Sequence, residues 1–274
     1  MTGFPTKVLA ALTVICLTAD VSNPAPRARP SPQESYETGA ENLLLGLVNE
    51  AREQQGLPRL ERDDRLVQAA QAHSRRMAES RQLGHQLAGE QPLPGRLAAT
   101  RLRFSRDAEN VATNTDAGAA HEGFMHSPGH RANILSPLYN SVGIGVVRSG
   151  ERVWVTEDFA FRLPRLDEGQ VEDEVASSIV RLRKAPSLQR IPVTRLRTLA
   201  CGMAQSDALN TAGALKLPDV RYAAAYTTPD PADLPPNVRR LRDHADVSRF
   251  AVGACFAVTP KNPGGIYWVL IAFY

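Results

Sequence analysis

Met125-His126-Ser127-Pro128-Gly129-His130-Arg131-Ala132-Asn133-Ile134-Leu135 is the stretch around which this 274-residue chain is organised. Asp116 is a suitable N-cap for a helix running to about His126, and Ser127-Pro128-Gly129 ends it, because proline lacks the amide and glycine follows. His130 therefore lies beyond a helix stop. Upstream, Asn110-Val111-Ala112 reads as a short strand carrying Glu109 at its start. Downstream, Val142 to Val147 and Val153 to Phe159 flank Ser149-Gly150 and predict a hairpin.

Working outward, Leu43, Leu44, Leu47, Val48 and Ala51 recur at helical spacing, as do Leu66, Ala69, Ala70, His73 and Met77. Gly56-Leu57-Pro58 separates the two helices. Ser80 to Pro94 contains Gly84, Gly89 and prolines, which places His85 on a loop beyond the second helix, while His73 reads as a helix-face residue. These elements predict an α+β domain.

The whole chain is 43% hydrophobic and 22% charged, with a net charge of +3, the balance of a folded protein with too weak a field to argue for nucleic acid. Lys7 precedes an apolar run from Val8 to Ala19, too short to span a bilayer and suited to a signal-peptide core. We expect a signal peptide at 1–25, a Pro-rich disordered leader at 26–40, and a secreted product, extracellular or periplasmic, with no transmembrane segment. Thr13-Val14-Ile15 lacks the small residue found beside a lipidated cysteine, which argues against lipidation at Cys16. Beyond the leader, only Cys201 and Cys255 remain, and an oxidising destination makes them candidates for a disulfide; the alternative is two buried thiols.

Taken together, Leu47-Val48-Asn49-Glu50-Ala51-Arg52, Gly56-Leu57-Pro58-Arg59-Leu60, Ala72-His73-Ser74-Arg75-Arg76-Met77-Ala78, Gly84-His85, Ala108-Glu109-Asn110-Val111-Ala112, Ser127-Pro128-Gly129-His130-Arg131 with Asn133-Ile134-Leu135, and Val142-Gly143-Ile144-Gly145-Val146 make residues 43–161 resemble the CAP superfamily (cysteine-rich secretory, antigen 5 and pathogenesis-related 1 proteins) in its bacterial form. The resemblance implies an α-β-α sandwich with a polar cleft of two histidines and two acids. His85 and His130 match the histidines, and Glu109 the first acid. The second falls on Ser127, three beyond Phe124; Glu122 and His121 are neighbouring candidates.

Two neutral imidazoles on separate loops can hold a divalent metal such as zinc, weakly. The other readings of His85, Glu109 and His130 are a hydrogen-bonded core network with Glu109 accepting from both rings, a small or lipidic ligand site, or acid-base groups of a hydrolase. No nucleophile elbow surrounds Ser127. Arg96, Arg101, Arg103 and Arg106 read as a solvated face, and His244 as solvated.

We divide the chain into a CAP domain at 41–162, a linker at 163–174, and a smaller, degenerate CAP-like domain at 175–274. Ile179-Val180-Arg181-Leu182-Arg183 echoes Leu47 to Ala51, Met203-Ala204 echoes Met77-Ala78, and Val252-Gly253 with Trp268 and Phe273 echoes Val142-Gly143 with Trp154 and Phe159. The second copy lacks the His85 and His130 segments. The expectation is a monomeric, non-enzymatic exported module for an unidentified ligand or cell-envelope component; a peptidase-like hydrolase and a structural envelope protein are the alternatives.

Overall fold

Val142, Ile144 and Val146 alternate with Gly143, Gly145 and Val147, which sends two sets of side chains to opposite faces of one sheet. The computed structural model describes residues 35–182 and 188–274. The expected signal peptide 1–25, Cys16 and the leader as far as residue 34 lie outside the described residues.

In chain order the first half runs β1 (Ser35–Tyr36), α1 (Thr38–Gln54), β2 (Glu61–Arg62), α2 (Asp64–Ser80), α3 (Leu93–Ala99), β3 (Phe104–Asn114), α4 (Ala117–His126), α5 (Pro128–Ile134), β4 (Ser141–Ser149) and β5 (Arg152–Arg162). The sheet order is β1-β4-β5-β3, with β2 parallel to β4 and the remaining pairs antiparallel. Leu44 and Val48 of α1, Phe124 of α4 and Ile134 of α5 pack with Val142, Ile144, Val146 and Phe159 on one face. Leu66 of α2 and Leu97 of α3 cover the other with Phe104 and Ala160. This is a sandwich of helices, sheet and helices.

The second half runs α6 (Glu168–Leu182), β6 (Gln189–Arg190), α7 (Thr194–Ser206), α8 (Ala212–Leu215), β7 (Tyr222–Thr228), α9 (Pro236–Arg242), β8 (Arg249–Thr259) and β9 (Asn262–Phe273). Its sheet order is β6-β8-β9-β7, with β6 parallel to β8. Both halves belong to one compact unit. Between them, the Arg103 guanidinium lies 3.8 Å from the Phe256 ring, and Tyr267 donates to the Pro164 carbonyl.

The Asp116 cap and the stop after His126 fall where the sequence places them, and the Asp116 side chain accepts from the Ala119 amide. Pro128 does more than stop a helix: it opens α5 at its first position, where a missing amide costs nothing. Three elements start inside stretches expected to be irregular. β1 and α1 begin before residue 41, held by the Glu37–Arg148 ion pair, and α6 begins within 163–174. β3 is longer than the short strand expected, because it pairs with β5 almost throughout.

Close helix-to-strand approach explains the glycines. A Cβ on Gly145 would lie 2.3 Å from the Gln71 amide nitrogen, and one on Gly253 2.2 Å from the Leu196 carbonyl carbon. Gly145 and Gly253 thus make the same kind of contact with helix backbone, two residues beyond the likeness of Gly143 to Gly253 read along the sequence. Gly143 touches Leu66 in the first turn of α2, whereas α7 is shorter by four residues and Ala251 suffices opposite. Likewise Ile179 of α6 is buried as Val48 of α1 is, whereas Val180 is 47% exposed.

One buried device recurs. Glu41 Oε1 accepts from the Val146 amide and from Gln71, and Glu172 Oε1 accepts from the Ala254 amide while Arg197 grips both its oxygens. The expected disulfide is present: Cys201 of α7 bonds Cys255 of β8, with Cα atoms 5.1 Å apart.

Substituting Gly145→Ala should destabilise the protein by about 3 kcal/mol, since backbone atoms cannot move aside for the methyl. Gly123→Ala, on an open helix face, should be neutral or mildly stabilising. Chemical denaturation of both variants checks the contrast.

Candidate functional site

β3 is an edge strand, so the loop after α2 and helix α5, which belong to opposite layers, can meet beside it. Asn133 ties α5 to this edge by donating to the Asn110 side-chain oxygen (2.9 Å) and the Glu109 carbonyl, and Asn110 donates to the His130 carbonyl. Arg52, fully buried, donates to the carbonyls of Pro58, Ile134 and Ser136 and so fastens the far end of α5 to α1. The packing of this helix fixes where His130 sits.

His85, 61% exposed by its side chain, pairs through Nδ1 with Glu109 Oε1 at 2.9 Å. Glu109 is buried, and its other oxygen accepts from Arg96. With Nδ1 engaged, the Nε2 edge of His85 is left for the cleft. His130 is half-buried, packed edge-on against Phe124 at 5.2 Å. Burial, then the nearby charge of His85, holds its pKa below the ordinary value, so it stays neutral at pH 7. The structure thus brings His85, Glu109 and His130 together, although Glu109 hydrogen-bonds only one of the two rings.

The other candidates lie differently. Ser127 is half-buried and, among the described residues, its hydroxyl bonds to neither histidine. His121 is buried; burial lowers its pKa, countered by the charges of Glu122 and Glu50, which places it against α1. Glu122 is exposed and hydrogen-bonds neither His85 nor His130.

His73 stands on the buried face of α2, with Leu66, Ala69, Ala70 and Met77 as its spacing placed it, and one expectation, that for Arg96, changes. His73 is fully buried: Nδ1 faces Glu90 Oε1 and Nε2 faces the Gly84 carbonyl, both at 2.9 Å. Glu90 also accepts from the Leu87 amide, so His73 and Glu90 together hold the loop that carries His85. Burial raises the Glu90 pKa, but these bonds and the charges of His73 and Arg96 bring it below its usual value. Arg96 is 8% exposed and engaged with Glu109, so the basic stretch is not one solvated face. Its spacing from Glu109 along the sequence gave no hint of the pairing. His244 is about half exposed and pairs with Asp246 and the Tyr222 ring.

Three further acids lie beside Glu109. Asp158 faces it across β3 and β5, Glu157 faces Asn110, and Asp107 is one pleat along. Burial, then Glu109, raises Asp107; burial pushes Glu157 up to about 7 against the hydrogen bond from Asn110. Burial and the adjacent Glu109 raise Asp158 well above the carboxylate range.

As a metal centre the arrangement offers two imidazole nitrogens, with Glu109 acting behind His85 rather than as a ligand, since both its oxygens are engaged. Among the described residues no group of three His, Cys, Asp or Glu side chains is placed to hold an ion. No described helix is long and apolar enough to cross a membrane.

The model of the CAP, or cysteine-rich secretory protein, family matches residues 45–159. Among curated proteins, the chain is 34% identical over 130 residues to the uncharacterized membrane protein YlbC of Bacillus subtilis, covering 47% of this chain and 36% of the relative. It is 29% identical to the uncharacterized protein YkwD of the same organism, covering 51% and 52%. The chain thus spans between a third and a half of the relatives it matches. Among solved structures, an extracellular protein containing a SCP domain from Bacillus anthracis is 29% identical, covering 45% of this chain and 41% of that one, with a TM-score of 0.43.

Glu157 predicts a pH dependence. Its carboxyl titrates near 7 when folded against an ordinary 4.5, so the folded state binds the proton more tightly. Stability is then lost as pH rises from about 4.5 to about 7, by about 3 kcal/mol at most. Glu157→Gln should remove that loss, making the variant more stable than wild type at pH 8 and similar at pH 4.5, as read from denaturation at each pH.

Proposed function

Because residues 45–159 belong to the cysteine-rich secretory protein family, we propose that this chain is an exported CAP-domain protein whose His85/His130 cleft binds a ligand without turning it over. The observation that carries this reading is the orientation of His85: Glu109 takes its Nδ1, leaving an exposed Nε2 edge beside a neutral His130. A neutral His130 nitrogen beside the unengaged Nε2 of His85 suits a divalent metal such as zinc or a small hydrogen-bonding ligand. Among the described residues no base hydrogen-bonds the Ser127 hydroxyl, which counts against an amide hydrolase.

Export rests on the apolar run before Ala19 and on the disulfide, which persists in oxidising compartments. The second half is a degenerate copy of the first. Supporting this are the shared element order, the parallel β2–β4 and β6–β8 pairings, the Gly145 and Gly253 contacts, and the Glu41 and Glu172 devices. Among its described residues no pair of histidines stands beside the sheet, and it serves as a support for the first domain.

Calorimetric titration of zinc into wild type should give a saturable heat that His85→Ala/His130→Ala abolishes while the fold persists. Equal heats in both proteins would remove the metal reading.

A further inference from the structure

Buried acids are expensive, and this molecule contains its own control for whether the sheet needs them. The Trp154/Phe159 and Trp268/Phe273 pairs and the β2 and β6 pairings set corresponding registers in the two sheets. Where Glu109 faces Asp158 in the first, Ala223 faces Ala272 in the second, and Ile271 stands where Glu157 does. Ala272 and Ile271 are fully buried in well-packed clusters. The same place in the same topology is thus filled by apolar side chains, so the acids of the first half answer to something other than folding.

Asp158 is itself fully buried, and neither of its carboxyl oxygens accepts a hydrogen bond. Around it stand Glu109 and Asp107 on β3, Arg96 on α3, and, one group further, His73 on α2 with Glu90. Two adjacent buried carboxylates cannot both be ionised. Glu109 has the donors, receiving Arg96 at one oxygen and His85 at the other, whereas Asp158 has none. The negative charge belongs on Glu109 and the proton on its neighbour.

We propose that Asp158 is a carboxylic acid at neutral pH, donating its proton in a hydrogen bond to Glu109, and that it is thereby the positioning residue that keeps Glu109 aimed at His85. The pair holds one proton and one negative charge, and Glu109 is saturated by donors from three directions. Ligand contact then falls to the histidines. This deepens the cleft reading above and rests on it for its functional meaning, but its test uses the unliganded protein, so a failed zinc titration and a failed protonation assignment are separate results.

The test is carbon-13 NMR of the side-chain carboxyls in wild type labelled at aspartate, which excludes Glu157. One aspartate carboxyl should remain in its protonated state at neutral pH, and that signal should be missing from Asp158→Asn. If every aspartate carboxyl is ionised at neutral pH, the proposal is overturned on wild type alone. The His85 imidazole titration supplies a readout that a merely structural role would not move. Asparagine keeps the donor and the charge, so its His85 midpoint should equal that of wild type, while Asp158→Ala loses the preference for the Nδ1–H tautomer. A His85 midpoint that falls in Asp158→Asn would mean that a negative charge had been removed, and would overturn the assignment.

Discussion

The constraint on which the rest of the structure depends is the close approach of a helix to a strand at Gly145, repeated at Gly253. No side chain fits between α2 and β4 at that point, so the helix backbone rests on the strand and the layers lock in one register. That register places Ser74 against the Gly145 carbonyl and Thr156, and brings the end of α2, with the loop beyond it, to the edge strand. Once the layer is set, His73 can reach the Gly84 carbonyl and Glu90 and hold the His85 loop. The opposite layer is secured at Arg52, whose burial disfavours its charge but is compensated by three carbonyl partners on two segments. His85 and His130 come to one edge because two independently anchored layers overhang it.

Within that cleft, charge is distributed unevenly. Glu109 is surrounded by donors while its neighbours Asp107, Glu157 and Asp158 are all held toward their neutral forms. Burial thus works against the charge of these three neighbours, while Glu109 carries the pairings with Arg96 and His85. His130, by contrast, packs its ring on Phe124 near His85, and among the described residues no hydrogen bond to its ring dictates the tautomer.

Much of this could be read from the sequence, and the reasons for the rest are local. The helix stop at Ser127-Pro128-Gly129, the Asp116 cap and the hairpin around Gly150 depend on residues adjacent in sequence, whose conformational limits apply in any fold. His85, Glu109 and His130 came from the ordered motifs. Arg96, His73 and Asp158 were not legible, because their partners are chosen by cross-strand register and by which turn of a helix lands over which pleat. Thr156-Glu157-Asp158 is a polar run in a strand buried on both faces, so the alternation that normally separates inside from outside fails there. The pairing of Gly143 with Gly253 read along the sequence differs by two residues from the likeness of their helix contacts, because α7 is four residues shorter than α2 and nothing in the local pattern announces a missing turn.

The Cys201–Cys255 bridge has a consequence for the open side of the second sheet. In the first half, β1 covers the edge of β4 at Val147 and Arg148, and Arg75 stacks on Tyr36 there. Cys201 and Cys255 join α7 to β8, and among the described residues no strand pairs with β8 on that side beyond Phe250. The covalent bond does the work of the missing strand, pinning β8 to α7 where its edge is bare. Reduction would leave that edge free to lift and to recruit extended chain from a neighbouring molecule, so the bridge is a guard against aggregation as well as a brace.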